Sequence, residues 1–221
     1  MSTEAAEAPQ PAAGPRGAAI LETRAARKEF GGLVACSDID FVVPERSIVS
    51  LIGPNGAGKT TVFNIISGIY PPSKGTLRYY GSGQGVSLTD LAPHDITATG
   101  IARTFQNIEL FEHASVLQNL LIGRHRHQKS GFWQQVFFTK TVREAEITAR
   151  RHVESVIELL DLQHYRDTMV AGLPYGIRKV VELARALCAE PSLLLLDEPS
   201  SGLNVEETED MAFWITDIKE E

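Results

Sequence analysis

Read for hydrophobic and polar positions, the chain has no pattern until about residue 20 and then turns strand-like. Residues 20–24 make a short candidate strand. Residues 37–43 alternate, with Ile39, Phe41 and Val43 on one face. Residues 47–52, Ser-Ile-Val-Ser-Leu-Ile, predict a short apolar strand that runs into a Gly-rich turn. Residues 60–67 predict a helix, with Val62, Phe63 and Ile66 on the same side as Ile69; Gly68 and the pair Pro71-Pro72 stop it. A strand over 75–80, a loose turn over 81–85 and a strand over 101–106 that ends in polar residues follow. Helices are expected over 115–122, over 141–160 (Ala149, Val153, Val156, Ile157 and Leu160 at helical spacing) and over 174–189 (Val180, Leu183, Ala184, Leu187). The leucines of 193–196 predict a fully buried strand. A last helix starts after Asn204, which has capping-box spacing to Glu207, and Met211, Trp214, Ile215 and Ile218 form its expected buried face.

This order, strands and one helix, a helical block, then strand and helix again, predicts an α/β core interrupted by a helical subdomain. Residues 1–19, rich in Ala, Pro, Glu and Gly, are expected to form a disordered tail. The domain is placed at 20–221, with its helical subdomain at about 107–190. Hydrophobic residues make up 43% and charged residues 22%, ordinary values for a globular chain. The net charge of −7 argues against a protein that lives by gripping nucleic-acid backbone. Cys36 and Cys188 lie far apart in apolar contexts, with neither disulfide nor metal-ligand spacing. No apolar run approaches bilayer length, and no secretory leader is expected.

Candidate chemistry begins at Gly53-Pro54-Asn55-Gly56-Ala57-Gly58-Lys59-Thr60, which fits G-x-x-x-x-G-K-[ST] between an expected strand and an expected helix. Glycines let successive backbone N–H groups turn inward toward phosphate oxygens, and the helix N-terminus adds its positive end. Lys59 would neutralise the β- and γ-phosphates of ATP. The Thr60 hydroxyl would ligate Mg²⁺, and Thr61 would reach the α-phosphate. At the end of the leucine strand, Asp197 would hold Mg²⁺, and Glu198 would act as general base on the attacking water.

Between these motifs lies Gly172-Leu173-Pro174-Tyr175-Gly176-Ile177-Arg178-Lys179, leading into Glu182-Leu183-Ala184-Arg185-Ala186-Leu187. The order of phosphate loop, Gln106, this segment, Asp197-Glu198 and Ser201-Gly202-Leu203-Asn204 resembles the ABC ATPases, a branch of the P-loop NTPases. The finer resemblance is to the ATP-binding subunits of branched-chain amino acid (Liv-type) importers. It is carried by Phe30-Gly31-Gly32-Leu33-Val34-Ala35, by Arg103-Thr104-Phe105-Gln106 and by the Leu-Pro-Tyr-Gly form of the signature. The resemblance implies a core with an antiparallel β subdomain and an inserted helical one. It implies that Phe30 stacks on adenine, against the alternative of a core Phe beside a Gly-Gly turn. It places Gln106 near Mg²⁺ and the attacking water, Leu173, Pro174, Tyr175, Gly176 and Ile177 on the ATP of a second subunit, and Ser201, Gly202, Leu203 and Asn204 at the dimer interface. Implied partners are a second ABC subunit (the same or a different chain), membrane permease subunits and, indirectly, a solute-binding protein. The implied place is peripheral, at the cytoplasmic face of a bacterial inner membrane.

The chain also departs from that family. Pro174 stands where a serine is usual and Ile177 where a glutamine is usual. The late strand and the histidine that ends it have no counterpart after Asn204, so a fragment or a truncated gene lacking the last strands is expected. Residues 124–140 mix basic side chains with Phe132, Trp133, Phe137 and Phe138, which suits either packing on the helical subdomain or contact with a permease or lipid headgroups. The functional expectation is an ATPase coupling hydrolysis to amino acid uptake. The alternatives are an ATP-binding module with little hydrolysis and a cytosolic ABC protein of DNA repair or translation.

Overall fold

The computed structural model describes residues 18–81, 83–104, 109–124 and 140–220. The first two strands are longer than their apolar pattern suggests. β1 (Ala19–Phe30) and β2 (Leu33–Pro44) form a hairpin closed by the pairing of Phe30 with Leu33. Gly31 and Gly32 turn it with φ of 51° and 92°, values that suit glycine. β1 also pairs antiparallel with β3 (Lys74–Tyr79), which pairs with the two-residue β4 (Val86–Ser87), giving the sheet order β2-β1-β3-β4. On the inner face of this sheet packs α1 (Lys59–Ile66), through Val62, Ile65 and Ile66.

A second, parallel pair is made by β5 (Ile101–Arg103) and β6 (Leu193–Leu195). Ahead of β5 stands α2 (Pro93–Thr99), which the periodicity did not predict; Pro93 opens it and Gly100 closes it at φ 113°. The helical block consists of α3 (Val116–Arg124), α4 (Lys140–Leu159) and α5 (Tyr175–Leu187), and the last helix is α6 (Val205–Glu220). Asn204 and Glu207 complete the expected capping box: the Asn204 N–H donates to Glu207 Oε2, and the Glu207 N–H donates to Asn204 Oδ1, both at 2.9 Å.

Two cores result. One joins Val116, Leu120, Val153, Ile157, Val181 and Ala184 of the helices; the other joins Leu21, Leu77 and Tyr79 of the sheet to Ile65 and Ile96. β6 divides them by its period of two: Leu193 and Leu195 face the sheet core, while Leu194 and the following Leu196 face the helical core. Both cysteines are buried and free, and burial pushes the Cys188 thiol up to about 12, so it stays an inert apolar filler.

Two expectations fail. Residues 47–52 are not a strand. They have no ladder partner among the described residues, and Ile52 is 92% exposed. A cavity of about 900 Å³, lined by Ile48, Val49, Leu51, Leu194, Leu196 and Ile215, lies along this segment. For the same reason the four leucines are not fully buried: only Leu195 is, and the others are half-buried.

Candidate functional site

The phosphate loop has the backbone its glycines were expected to supply. Gly56 and Gly58 adopt φ of 82° and 87°. Gly58 is the N-cap of α1, and no side chain caps that helix, so the amides of its first turn stay open to an anion. A Cβ on Gly58 would lie 2.4 Å from the Ala35 carbonyl oxygen. The loop therefore sits directly against the start of β2. Ala57 N–H donates to Pro54 O at 3.2 Å, closing the turn through Asn55 and Gly56. Lys59 folds back and donates to Gly53 O at 2.7 Å and Pro54 O at 3.0 Å. Thr60 is exposed, and Thr61 half-buried, in the first turn of α1.

Asp197 is buried just beyond β6 and accepts from Arg103 Nη2 at 2.8 Å. The same guanidinium donates from Nη1 to Asn64 Oδ1 at 2.7 Å and Ser67 Oγ at 2.9 Å, and lies 5.7 Å from the Phe63 ring centroid. One arginine thus ties β5 to α1 and to the end of β6. Glu198 follows, exposed, with φ of 49°, a left-handed conformation that costs an L-residue about 1–2 kcal/mol. Such strain at a candidate general base is a pointer to function.

Phe30 is 41% exposed, so the core-Phe alternative does not hold. Its ring meets Tyr70 edge-on, with centroids 5.2 Å apart, and Lys28 Nζ lies 5.1 Å from the Phe30 centroid. The Tyr70 N–H donates to Asn64 O at 3.2 Å. A chain of contacts therefore runs from Phe30 through Tyr70, Asn64 and Arg103 to Asp197. Periodicity gave no sign of Tyr70, Asn64 or Arg103 as site residues. For Arg103 the available signal was its place in the Arg103-Thr104-Phe105-Gln106 stretch that carries the family resemblance.

Leu173, Pro174, Tyr175, Gly176 and Ile177 lead into α5, with Leu173 buried, Pro174 as N-cap and Tyr175 41% exposed. Their contacts run to the 201–207 segment. Tyr175 OH donates to Ser201 O at 3.4 Å, and Gly202, at φ 80°, packs on the Tyr175 ring. A Cβ on Gly176 would lie 2.1 Å from Glu207 Oε1. Leu203 packs on the helical core and Asn204 caps α6. Signature and 201–204 loop thus form one contiguous surface. Gln106, Phe105 and the aromatic residues of 132–138 lie outside the described residues.

The comparisons agree with this geometry. The family model for the ABC transporter matches residues 36–201. BraF of Pseudomonas aeruginosa, a high-affinity branched-chain amino acid transport ATP-binding protein, is 38% identical over 202 residues, 91% of this chain and 78% of that protein. LivG of Escherichia coli, of the same description, is 34% identical over 200 residues, covering 90% of this chain and 77% of LivG. Among solved structures, the ADP conformation of an ATP-binding cassette of an ABC transporter superposes with a TM-score of 0.76 at 29% identity, covering 91% of this chain and 77% of that one. An uncapped phosphate loop, a buried carboxylate ending a parallel strand and these matches converge: the chain belongs to the ABC transporter family, among its ATP-binding cassettes.

Proposed function

We propose that this protein is the ATP-hydrolysing subunit of an importer for branched-chain or related amino acids, working as a dimer on permease subunits at the cytoplasmic face of the membrane. The carrying observation is the phosphate loop, with Gly56 and Gly58 in the left-handed region and an uncapped α1 behind them. The solute class follows BraF and LivG, ATP-binding proteins of high-affinity branched-chain amino acid transport. Among the described residues no helix is long and apolar enough to cross a membrane.

The residues fit Mg²⁺·ATP. The donor set is all oxygen, the Thr60 hydroxyl and the Asp197 carboxylate, as a hard cation held partly by phosphates requires. Mg²⁺ would neutralise charge on the transferred phosphoryl group. Loop amides and Lys59 bind the phosphates, and for this Lys59 exchanges the Gly53 and Pro54 carbonyls for phosphate oxygens. Phe30 offers a ring face to adenine. Glu198 takes the proton of the attacking water. Leu173–Ile177 and the 201–204 loop present one surface to the second subunit's nucleotide.

Titration with a fluorescent ATP analogue tests the core of this reading. Lys59→Ala should weaken binding by at least tenfold, and wild-type affinity in that variant would sink it. Glu198→Gln should keep binding and lose turnover in a permease-reconstituted preparation. Leucine uptake that survives deletion of the gene would refute the solute assignment.

A further inference from the structure

We propose that Arg103 is the positioning residue for Asp197, holding its carboxylate against the face of α1 that carries Thr60. The proposal rests on the reading of Asp197 and Thr60 as the Mg²⁺ side of the site. Thr60, Asn64 and Ser67 are spaced by four and three residues, so they share one face of α1. Asn64 lies about 6 Å, and Ser67 about 10 Å, along the axis from Thr60. Arg103 grips the two inner positions of that face, at 2.7 Å and 2.9 Å, and Asp197 Oδ2 at 2.8 Å. Both members of the ion pair are 7% exposed at the side chain. The guanidinium uses Oδ2 alone, and among the described residues no hydrogen bond engages Oδ1. One carboxylate oxygen is thus fixed from inside the fold while the other remains for the nucleotide side.

A clamp needed only for packing would not require these groups. Replacing a buried ion pair by apolar side chains of similar volume is often neutral or stabilising. What the guanidinium adds is position: its bonds from Nη1 anchor the rigid plane on Asn64 and Ser67, and Nη2 then sets where Asp197 Oδ2 sits. Partners that orient a metal-binding group typically change metal affinity by about 10- to 100-fold when removed.

The experiment uses the full chain, with Mn²⁺ as the probe, titrated by electron paramagnetic resonance in saturating ATP. ATP affinity is measured separately in excess chelator. Arg103→Met should weaken Mn²⁺ binding about 10- to 100-fold while metal-free ATP affinity stays within about twofold. Arg103→Lys, which keeps the charge but loses the fork, should recover only part. Asn64→Ala and Ser67→Ala remove the anchors and leave the ion pair, and each should weaken Mn²⁺ by a smaller factor. Unchanged or tighter Mn²⁺ binding in Arg103→Met overturns the proposal. If the Arg103 variants fail to fold, wild-type Mn²⁺ affinity in both anchor variants overturns it. Asp197→Asn separates the two layers: if it loses Mn²⁺ and Arg103→Met does not, the positioning role alone is wrong; if it keeps Mn²⁺, the underlying reading of Asp197 is wrong and the proposal falls with it.

Discussion

Gly56 and Gly58 offer a controlled test of what shapes the phosphate loop. Both sit near the same φ, 82° and 87°. An alanine at either position suffers the left-handed penalty of about 1–2 kcal/mol. Their surroundings differ. Nothing lies within 4 Å of a Cβ on Gly56, whereas a Cβ on Gly58 meets the Ala35 carbonyl oxygen at 2.4 Å, with Cys36 Cβ at 3.6 Å. That oxygen is backbone near the start of β2, paired opposite the end of β1, and cannot rotate away. Forcing such a contact typically costs a further 1–3 kcal/mol or so. Gly56→Ala should therefore lose about 1–2 kcal/mol, and Gly58→Ala about 2–5 kcal/mol, in equilibrium urea unfolding followed by circular dichroism. ATP titration should show the larger loss for Gly58→Ala as well, because the clash pushes the start of α1 off β2. Equal destabilisation of the two variants would refute the claim that β2 braces the loop.

Gly123→Ala gains about 1 kcal/mol of helix propensity but places its methyl 2.4 Å from the Arg185 carbonyl oxygen where α3 crosses α5. Overpacking of about 1–3 kcal/mol wins, so a lowered unfolding midpoint is expected, and a raised one would show that the helices can separate freely. Asn204→Ala removes the Oδ1 that accepts from the Glu207 N–H, leaves its own N–H bonded to Glu207 Oε2, and should cost about 1 kcal/mol, read from chemical denaturation; no change would mean that α6 is held by Met211 and its neighbours alone. The Arg166 guanidinium holds the Glu154 carboxyl below the usual range through side-chain hydrogen bonds, against a smaller opposing desolvation. A carboxylate depressed in the folded state stabilises above its unfolded value, about 4.3, and loses that contribution as pH falls through the folded value. The pair is partly exposed, so Glu154→Gln should cost only about 0.2–1 kcal/mol at pH 7, and calorimetry should find the difference shrinking below about pH 4. In hydrogen exchange, amides of 48–52 should be unprotected while those of Val62, Ile65 and Ile66 are protected; equal protection would refute the lack of a ladder partner.

The legible parts of the molecule are those whose chemistry is local. Eight consecutive residues specify the phosphate loop, because each glycine acts on its own φ and the lysine follows directly. The Asn204–Glu207 box is local too, and so are the helices with a clear apolar stripe. Arg103 is different. Its partners lie 39, 36 and 94 residues away, and no periodicity connects them. Tyr70 follows the end of α1 in what reads as a stop signal, so its place beside Phe30 becomes visible only when the hairpin folds back. α2 is seven residues long, too short for a stripe, and only Pro93 and Gly100 marked its ends.

Residues 47–52 show why apolar content alone does not make a strand. A helix satisfies its backbone from within, but a strand is a relation between two backbones, and propensity measures how well a side chain fits a neighbour that must exist. Ile48, Val49 and Leu51 have the composition, yet each is at least 40% exposed along the cavity that separates them from β6. The phosphate loop is therefore supported unequally. Its C-terminal half is fixed by α1, by the close approach of Gly58 to Ala35 and by the core beneath Val62. Its N-terminal half at Gly53 is held by the Lys59 ammonium, the group that the proposed phosphate binding would require to move. On the proposed reading, phosphate capture and ordering of that half would be one event: if Lys59 turns to a phosphate, Gly53 and Pro54 lose its bonds, and the bound anion must supply the constraint that the missing ladder does not.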